Sequence, residues 1–151
     1  MRELRRFSTS TASAPRSAGR ARRASSGARA PTIIGVKVVR ELLRRNPTLP
    51  PERIDDVVIA ATAQVGDQGL TLGRDVALLA GLPQTVPGFA VDRMCAGALT
   101  AVTAGAGEIA MGAADVVLAG GVEHMGHHPM GDDVDFNPRF VAERLDRRRR
   151  P

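Results

Sequence analysis

The segment "VDRMCAGALTAV", residues 91–102, contains the one cysteine of this 151-residue chain. It lies between an apolar β-type run and a stretch of Ala, Gly and small apolar residues with helical character. A helix N-terminus leaves backbone N–H groups unpaired and carries partial positive charge, so a thiol placed there is biased toward its thiolate. The same N–H groups can hold an oxyanion developing on a thioester carbonyl. Asp92 and Arg93 precede Cys95 and are placed to tune its local field. Strand, nucleophile and Gly-rich helix in that order make the sharp elbow on which hydrolases display a serine, although "MCAGA" is not the serine motif. Against this stands the commoner fate of a free cysteine, a small hydrophobe buried in a core. Position alone leaves both readings open.

Two other groups of residues invite chemistry. "EHMGHHPM" carries His124, His127 and His128, but no further Cys or His exists to complete a closed zinc site. No metal is expected, and the three histidines are read as loop residues. Gly105 and Gly107 fall in mid-helix rather than at a strand-to-helix turn, so they do not form a dinucleotide-binding fingerprint.

The elements that must position Cys95 follow from the apolar pattern. In "PTIIGVKVVRELLRRNP", Ile33, Val36, Val39, Leu42 and Leu43 fall at helical spacing, and the helix should stop before Pro47. "PPERIDDVVIAAT" reads as a proline-started turn of helix and then a buried strand over Val57–Ile59. "QVGDQG" is turn chemistry, and "TLGRDVALLAGLP" is a short helix with Val76, Leu78 and Leu79 apolar, stopped at Gly81 and Pro83. "PGFAVDRM" is a second strand, residues 96–113 a long helix, and Val116–Leu118 a third strand. Strands alternating with helices predict an α/β layered domain.

The helix after Cys95 carries a single charge, Glu108, between Ala96 and Ala114. Leu99, Val102, Ala106 and Ile109 mark one face of it. A helix that is apolar or small all round is normally buried on several sides. Gly97, Gly105, Gly107 and Gly112 each cost roughly 1 kcal/mol of helix propensity, a loss that close backbone neighbours would explain. An interior helix between two sheets fits. Gly120 and Gly121, at the end of the third strand, are read as allowing close backbone approach.

Composition sets the outer bounds. Apolar residues make up 43% of the chain and aromatic residues only 3%, so the core must be built of Val, Leu, Ile and Ala. The net charge of +5 is uneven. Residues 1–30 contribute +7 and Arg147–Arg150 contribute +4, which leaves −6 on residues 31–146. A net positive charge confined to the ends, with an acidic body between them, argues against a nucleic-acid interface, where basic residues would dominate the folded region. No run of about 18 apolar residues is present, so no membrane span is expected. A lone cysteine forms no internal disulfide and gives no support to an oxidising compartment.

The organisation expected is therefore a disordered Arg/Ser/Ala-rich tail over residues 1–30, a folded unit over 31–145 and a basic tail over 146–151. The first tail has the composition of a mitochondrial transit peptide, and a non-native reading frame is the other reading of it. A cytoplasmic location is expected, or a mitochondrial one if that segment is a transit peptide.

The stretch "VPGFAVDRMCAGALTAVTAGAGEIAMGAADVVLAGGVEHM" resembles the nucleophile segment of thiolases, the family of acetyl-CoA acetyltransferases and 3-ketoacyl-CoA thiolases. The resemblance extends upstream through "RNPTLPPERIDDVVIAATAQVGDQGLTLGRDVALLAGLPQTVPG" and covers roughly residues 35–145. It implies a thiolase-like layered α/β fold, here an incomplete N-terminal half (its βαβαβ portion) with a buried Ala/Gly-rich helix after the nucleophile. It implies that Cys95 takes an acyl group from a 3-ketoacyl-CoA and passes it to coenzyme A, or is acylated by acetyl-CoA for condensation. The partners implied are acyl-CoA and coenzyme A as substrates, with no separate cofactor, and a homo-oligomer, dimer or tetramer. In the family the activating histidine, the second cysteine and the CoA-contacting loop domain lie outside the matched region. Two readings stand: a thiolase-type acyltransferase present as part of its N-terminal domain, or an inactive remnant needing a complementary chain.

Overall fold

The computed structural model of the chain describes residues 31–131, 135 and 137–139; the tails expected over 1–30 and 146–151 lie outside them. Three helices and three strands alternate: α1 (Pro31–Arg45), β1 (Asp56–Ala60), α2 (Leu72–Ala80), β2 (Phe89–Val91), α3 (Gly97–Met111) and β3 (Val117–Gly121). The strands form one parallel sheet in the order β2-β1-β3. β1 is central, and its alternating side chains meet different helices. Val57 and Ile59 join the core cluster with Val36 and Val39 of α1 and Leu72, Val76 and Ala77 of α2. Ala60 faces Gly97 of α3 on the other side. α2 and α3 thus cover opposite faces of the sheet, and α1 packs outside α2.

Parallel strands need crossover connections, and α2 and α3 are those crossovers. They come extremely close to the sheet. A Cβ at Gly73, near the start of α2, would stand 2.3 Å from the carbonyl oxygens of both Val57 and Phe89. Leu70 and Thr71, immediately before α2, both hold left-handed backbone, with φ of 48° and 55°. The chain therefore bends sharply to bring Gly73 onto the sheet. On α1, Arg40 donates to the carbonyls of Leu79 (2.7 Å) and Ala80 (3.2 Å), occupying the free end of α2. Glu41 is held down at about 2 by hydrogen bonds from Arg44 and Arg45 in the last turn of α1.

Several boundaries differ from those the sequence predicts, each for a visible reason. α1 starts at Pro31, and its buried positions are Pro31, Thr32, Gly35, Val36 and Val39. The proline-started turn is a short 3-10 segment, Pro51–Arg53. On α2 the buried positions are Leu72, Gly73, Val76 and Ala77, whereas Leu78 and Leu79 are exposed. α3 ends at Met111 because Gly112 adopts φ 77° and the Ala113 N–H returns to the Glu108 carbonyl (2.9 Å). β3 continues past Leu118 to Gly121, where a Cβ would stand 3.0 Å from that of Ala98 and 3.2 Å from the Ala60 carbonyl oxygen. Gly120 has nothing within 4 Å, so close approach explains only the second glycine.

The burial of α3 is confined to one stripe, Gly97, Ala101 and Gly105. The face marked by Leu99, Val102, Ala106 and Ile109 is not the buried one: Leu99 is 70% exposed and the other three are half-buried. α3 meets the sheet through its smallest residues, with a Cβ at Gly105 only 2.8 Å from Val117 Cγ1. Gly107 points into open space, so its presence has no packing reason among the described residues. Met94–Met111 is by length and composition long and apolar enough to cross a bilayer, a segment the sequence reading did not single out. In the structure it lies against the sheet instead.

Glycine substitutions separate these roles. Gly73→Ala is expected to destabilise by more than about 3 kcal/mol, because two backbone carbonyls cannot both retreat. Gly107→Ala is expected to stabilise by roughly 0.5–1 kcal/mol through helix propensity. Urea denaturation of the two variants checks both signs.

Glu108 provides a second test. Desolvation, then repulsion from Asp56, raises its carboxyl above the ordinary value of 4.5. A raised carboxylate penalises the folded state once ionised, so this penalty disappears as pH falls through the ordinary carboxylate range. Glu108→Gln is expected to stabilise at pH 7 by under about 1 kcal/mol, as for an exposed charge pair. Melting temperatures of the variant and the parent should converge below pH 4.5.

Candidate functional site

All three strands run parallel, so their C-terminal ends collect at one edge of the sheet. β2 and β3 flank β1, and the two crossovers lie on opposite faces, which makes this edge the crevice where open α/β sheets bind ligands. Three connections start from it: residues 61–71 after β1, 92–96 after β2 and the segment from Val122 after β3.

Cys95 stands on the middle of these in chain order. β2 ends at Val91, and the Asp92 carboxylate turns back to accept the Met94 N–H at 2.8 Å. Met94 then holds φ 46°, a left-handed backbone that a side chain rarely adopts. Met94–Ala96 forms a single 3-10 turn that runs directly into α3 at Gly97. The Cys95 thiol is exposed. It is therefore not the buried small hydrophobe that was the competing reading. Left-handed backbone at a non-glycine residue costs of order 1–3 kcal/mol and persists only where its surroundings hold it. Here Asp92 holds one side and the packing of Gly97 against Ala60, at 2.9 Å from an added Cβ, holds the other.

The expected elbow is present, and its parts differ in detail from the sequence reading. Asp92 acts on backbone rather than on the thiol. The Ala96 and Gly97 N–H groups close the turn onto Arg93 and Met94 carbonyls, so neither is free to face a bound oxyanion.

The other two connections carry groups that sequence reasoning did not join. Glu123, just past β3, accepts hydrogen bonds from the Thr62 N–H (2.7 Å), the Ala63 N–H (3.3 Å) and the Gln68 amide (2.8 Å). Gln68 is fully buried and accepts in turn from the His124 N–H at 3.0 Å. His128 Nε2 lies 2.5 Å from Asp67 Oδ1, and His127 Nε2 lies 3.4 Å from the same oxygen. His124 stands apart from Asp67 and accepts the His127 N–H on its Nδ1 (3.0 Å). Partners about 60 residues apart leave no periodic signal. The only sequence cue was an acidic residue in each turn, Asp67 in "GDQG" and Glu123 in "VEHMGHH".

The strain at Met94 can be measured. Met94→Val, a β-branched residue forced into left-handed backbone, is expected to lose about 1–2 kcal/mol of stability, while Met94→Gly loses none. Equilibrium unfolding in urea distinguishes them, and equal losses in both would remove the elbow as a strained feature.

Comparison with known proteins places these features in a family. The family model "Thiolase, N-terminal domain" matches residues 12–148, a span that reaches into both segments read above as tails. The chain is 43% identical over 105 residues to the 3-ketoacyl-CoA thiolase of Colwellia psychrerythraea, covering 70% of this chain and 27% of that protein. It is 41% identical over 107 residues to the 3-ketoacyl-CoA thiolase of Photorhabdus laumondii, covering 71% of this chain and 28% of that protein. Among solved structures, the Bacillus anthracis acetyl-CoA acetyltransferase superposes with a TM-score of 0.61 at 30% identity, over 72% of this chain and 29% of that one. The chain thus spans little more than a quarter of the length of the relatives it matches. With its parallel sheet, its elbow and its matched span, the chain belongs to the thiolase family, through that family's N-terminal domain.

Proposed function

We propose that Cys95 is the nucleophile of a thiolase-type acyl transfer between coenzyme A thioesters. The observation that carries this is the exposed thiol on a strained turn between β2 and α3, at the ligand-binding edge of a parallel sheet. The family membership supplies the substrate class, since the relatives are named for 3-ketoacyl-CoA and acetyl-CoA chemistry. In the cleavage direction the Cys95 sulfur adds to the C3 carbonyl of a 3-ketoacyl-CoA. The C2–C3 bond breaks, its electron pair leaves on C2 as the enolate of acetyl-CoA, and that carbon takes a proton. Coenzyme A then gives up its thiol proton, attacks the acyl group on Cys95 and releases the sulfur. In the condensation direction acetyl-CoA acylates Cys95 and releases coenzyme A, and a second acetyl-CoA loses a C2 proton, attacks the acetyl carbonyl through C2 and releases the Cys95 sulfur.

Each proton transfer requires a positioned acid or base, typically worth about 10²–10⁴-fold. The chain carries a single cysteine, and its family match is to the N-terminal domain, over little more than a quarter of the relatives' length. The exposed faces of Leu99 and Met111 on α3, and the outer edge of β2, which no strand among the described residues pairs, leave apolar and hydrogen-bonding surface open. These features support a second element of the reading: the 151-residue chain acts only with further polypeptide, a second copy or a complementary chain, on that surface.

With purified chain and acetyl-CoA, mass spectrometry is expected to find no more than one acetyl group per chain, on Cys95, and none on Cys95→Ser. Acetoacetyl-CoA cleavage is expected to show no sustained CoA-dependent turnover. Acetylation that survives Cys95→Ser would remove Cys95 as nucleophile. Turnover that Cys95→Ser abolishes would instead remove the need for further polypeptide.

A further inference from the structure

Asp67, His127 and His128 come together from the connections after β1 and β3, a different pair of connections from the one that carries Cys95. Their donor atoms all lie within 4.8 Å of one another. The two imidazoles reach the same carboxylate oxygen, Asp67 Oδ1, at 2.5 Å and 3.4 Å. The second oxygen, Oδ2, is buried, and among the described residues nothing donates to it. An acceptor buried without a partner ordinarily costs about 1–3 kcal/mol, which calls for an unseen donor or cation.

The surroundings are built around this cluster. The His127 and His128 N–H groups both donate to the His124 carbonyl, at 2.8 and 2.9 Å, in a turn that places the two rings 4.5 Å apart. Thr32 of α1 donates to the Asp67 carbonyl and anchors the opposite side. Gly66 holds φ 53°, and a Cβ there would stand 2.6 Å from His128 Cε1, so a glycine is needed for the ring to occupy its place.

We propose that Asp67, His127 and His128 bind a first-row divalent cation, with Zn²⁺ best suited to the donor set. Two imidazoles and one carboxylate with an open position are a recurrent zinc set, with bonds of about 2.0–2.2 Å. Tetrahedral bonds of that length place donors roughly 3.3 Å apart. The His127 to Asp67 separation of 3.4 Å already matches, and His128 needs to withdraw by under about 1 Å. Both Nε2 atoms would then offer lone pairs, with the protons on Nδ1, and the cation would sit beside a carboxylate whose second oxygen, Oδ2, is buried and unpartnered among the described residues. The cation ties the segment after β3 to the turn after β1. This inference is independent of the acyl-transfer reading and of Cys95.

The test uses the whole chain with Cys95 blocked by iodoacetamide, so that the thiol does not compete for metal. Zn²⁺ is titrated against a chromophoric chelator, and Co²⁺ is used to read the ligand field. One ion per chain is expected, with binding weakened at least about tenfold by Asp67→Asn, His127→Ala or His128→Ala and unchanged by His124→Ala. If Asp67→Asn or His128→Ala perturbs the circular dichroism spectrum, the more exposed His127→Ala decides the matter. Absence of uptake, or uptake that His127→Ala leaves unchanged, would show a hydrogen-bonded clasp rather than a cation site.

Discussion

β1 is five residues long, and two helices press on its opposite faces at distances that admit no side chain. Gly73 of α2 lies against the Val57 and Phe89 carbonyls, and Gly97 of α3 lies against Ala60. A core nearly without aromatic residues cannot fill wide gaps between layers, so the layers come to backbone contact instead. The rest of the arrangement follows from that proximity. α3 must begin directly over the end of β1, and β2 stops one strand away. The chain between them has only residues 92–96 in which to turn. A turn that short needs left-handed backbone, and Met94 supplies it although it is not a glycine. The thiol is displayed because the helix behind it is packed so tightly.

The same topology gathers chemistry from distant parts of the chain. Connections after β1 and β3 meet because the two strands pair directly with each other in parallel. Glu123 and Gln68 are joined there by hydrogen bonds to each other and to the backbone at Thr62, Ala63 and His124. A buried polar network with its members paired gives this edge one defined arrangement, unlike an apolar contact that could slide. Asp55 does comparable work at the opposite end, where its carboxylate accepts the Asp115 and Val116 N–H groups at 2.7 and 2.9 Å. β3 is thus fastened to the β1 side at both ends by carboxylates.

Much of this was legible in the residues, and what was not has a common cause. The alternation of elements, the position of Cys95 between strand and helix, and the close approach at Gly97 and Gly105 all follow from local pattern. The buried face of α3 did not, because hydrophobicity pointed to Leu99 and Ile109 while packing chose Gly97, Ala101 and Gly105. Periodicity finds the greasy side of a helix. It does not find the side thin enough to approach a strand. Asp67 and His128 were invisible as a pair because nothing in either turn encodes the other, and only the strand order brings them together.

The two ladders of the sheet differ in length. β1 pairs with β3 over five positions, from Asp56↔Val117 to Ala60↔Gly121, and with β2 over three, from Val58↔Phe89 to Ala60↔Val91. Every residue of β2 is only half-buried, whereas four of the five in β1 are buried. Local opening of a fold begins where ladder bonds are few and burial is shallow. The strand that leads into Cys95 is therefore the first to loosen, and the β1–β3 pair is the last. Cys95 stands on this shallow margin of the sheet, so the short pairing of β2 with β1 sets how firmly the thiol is held.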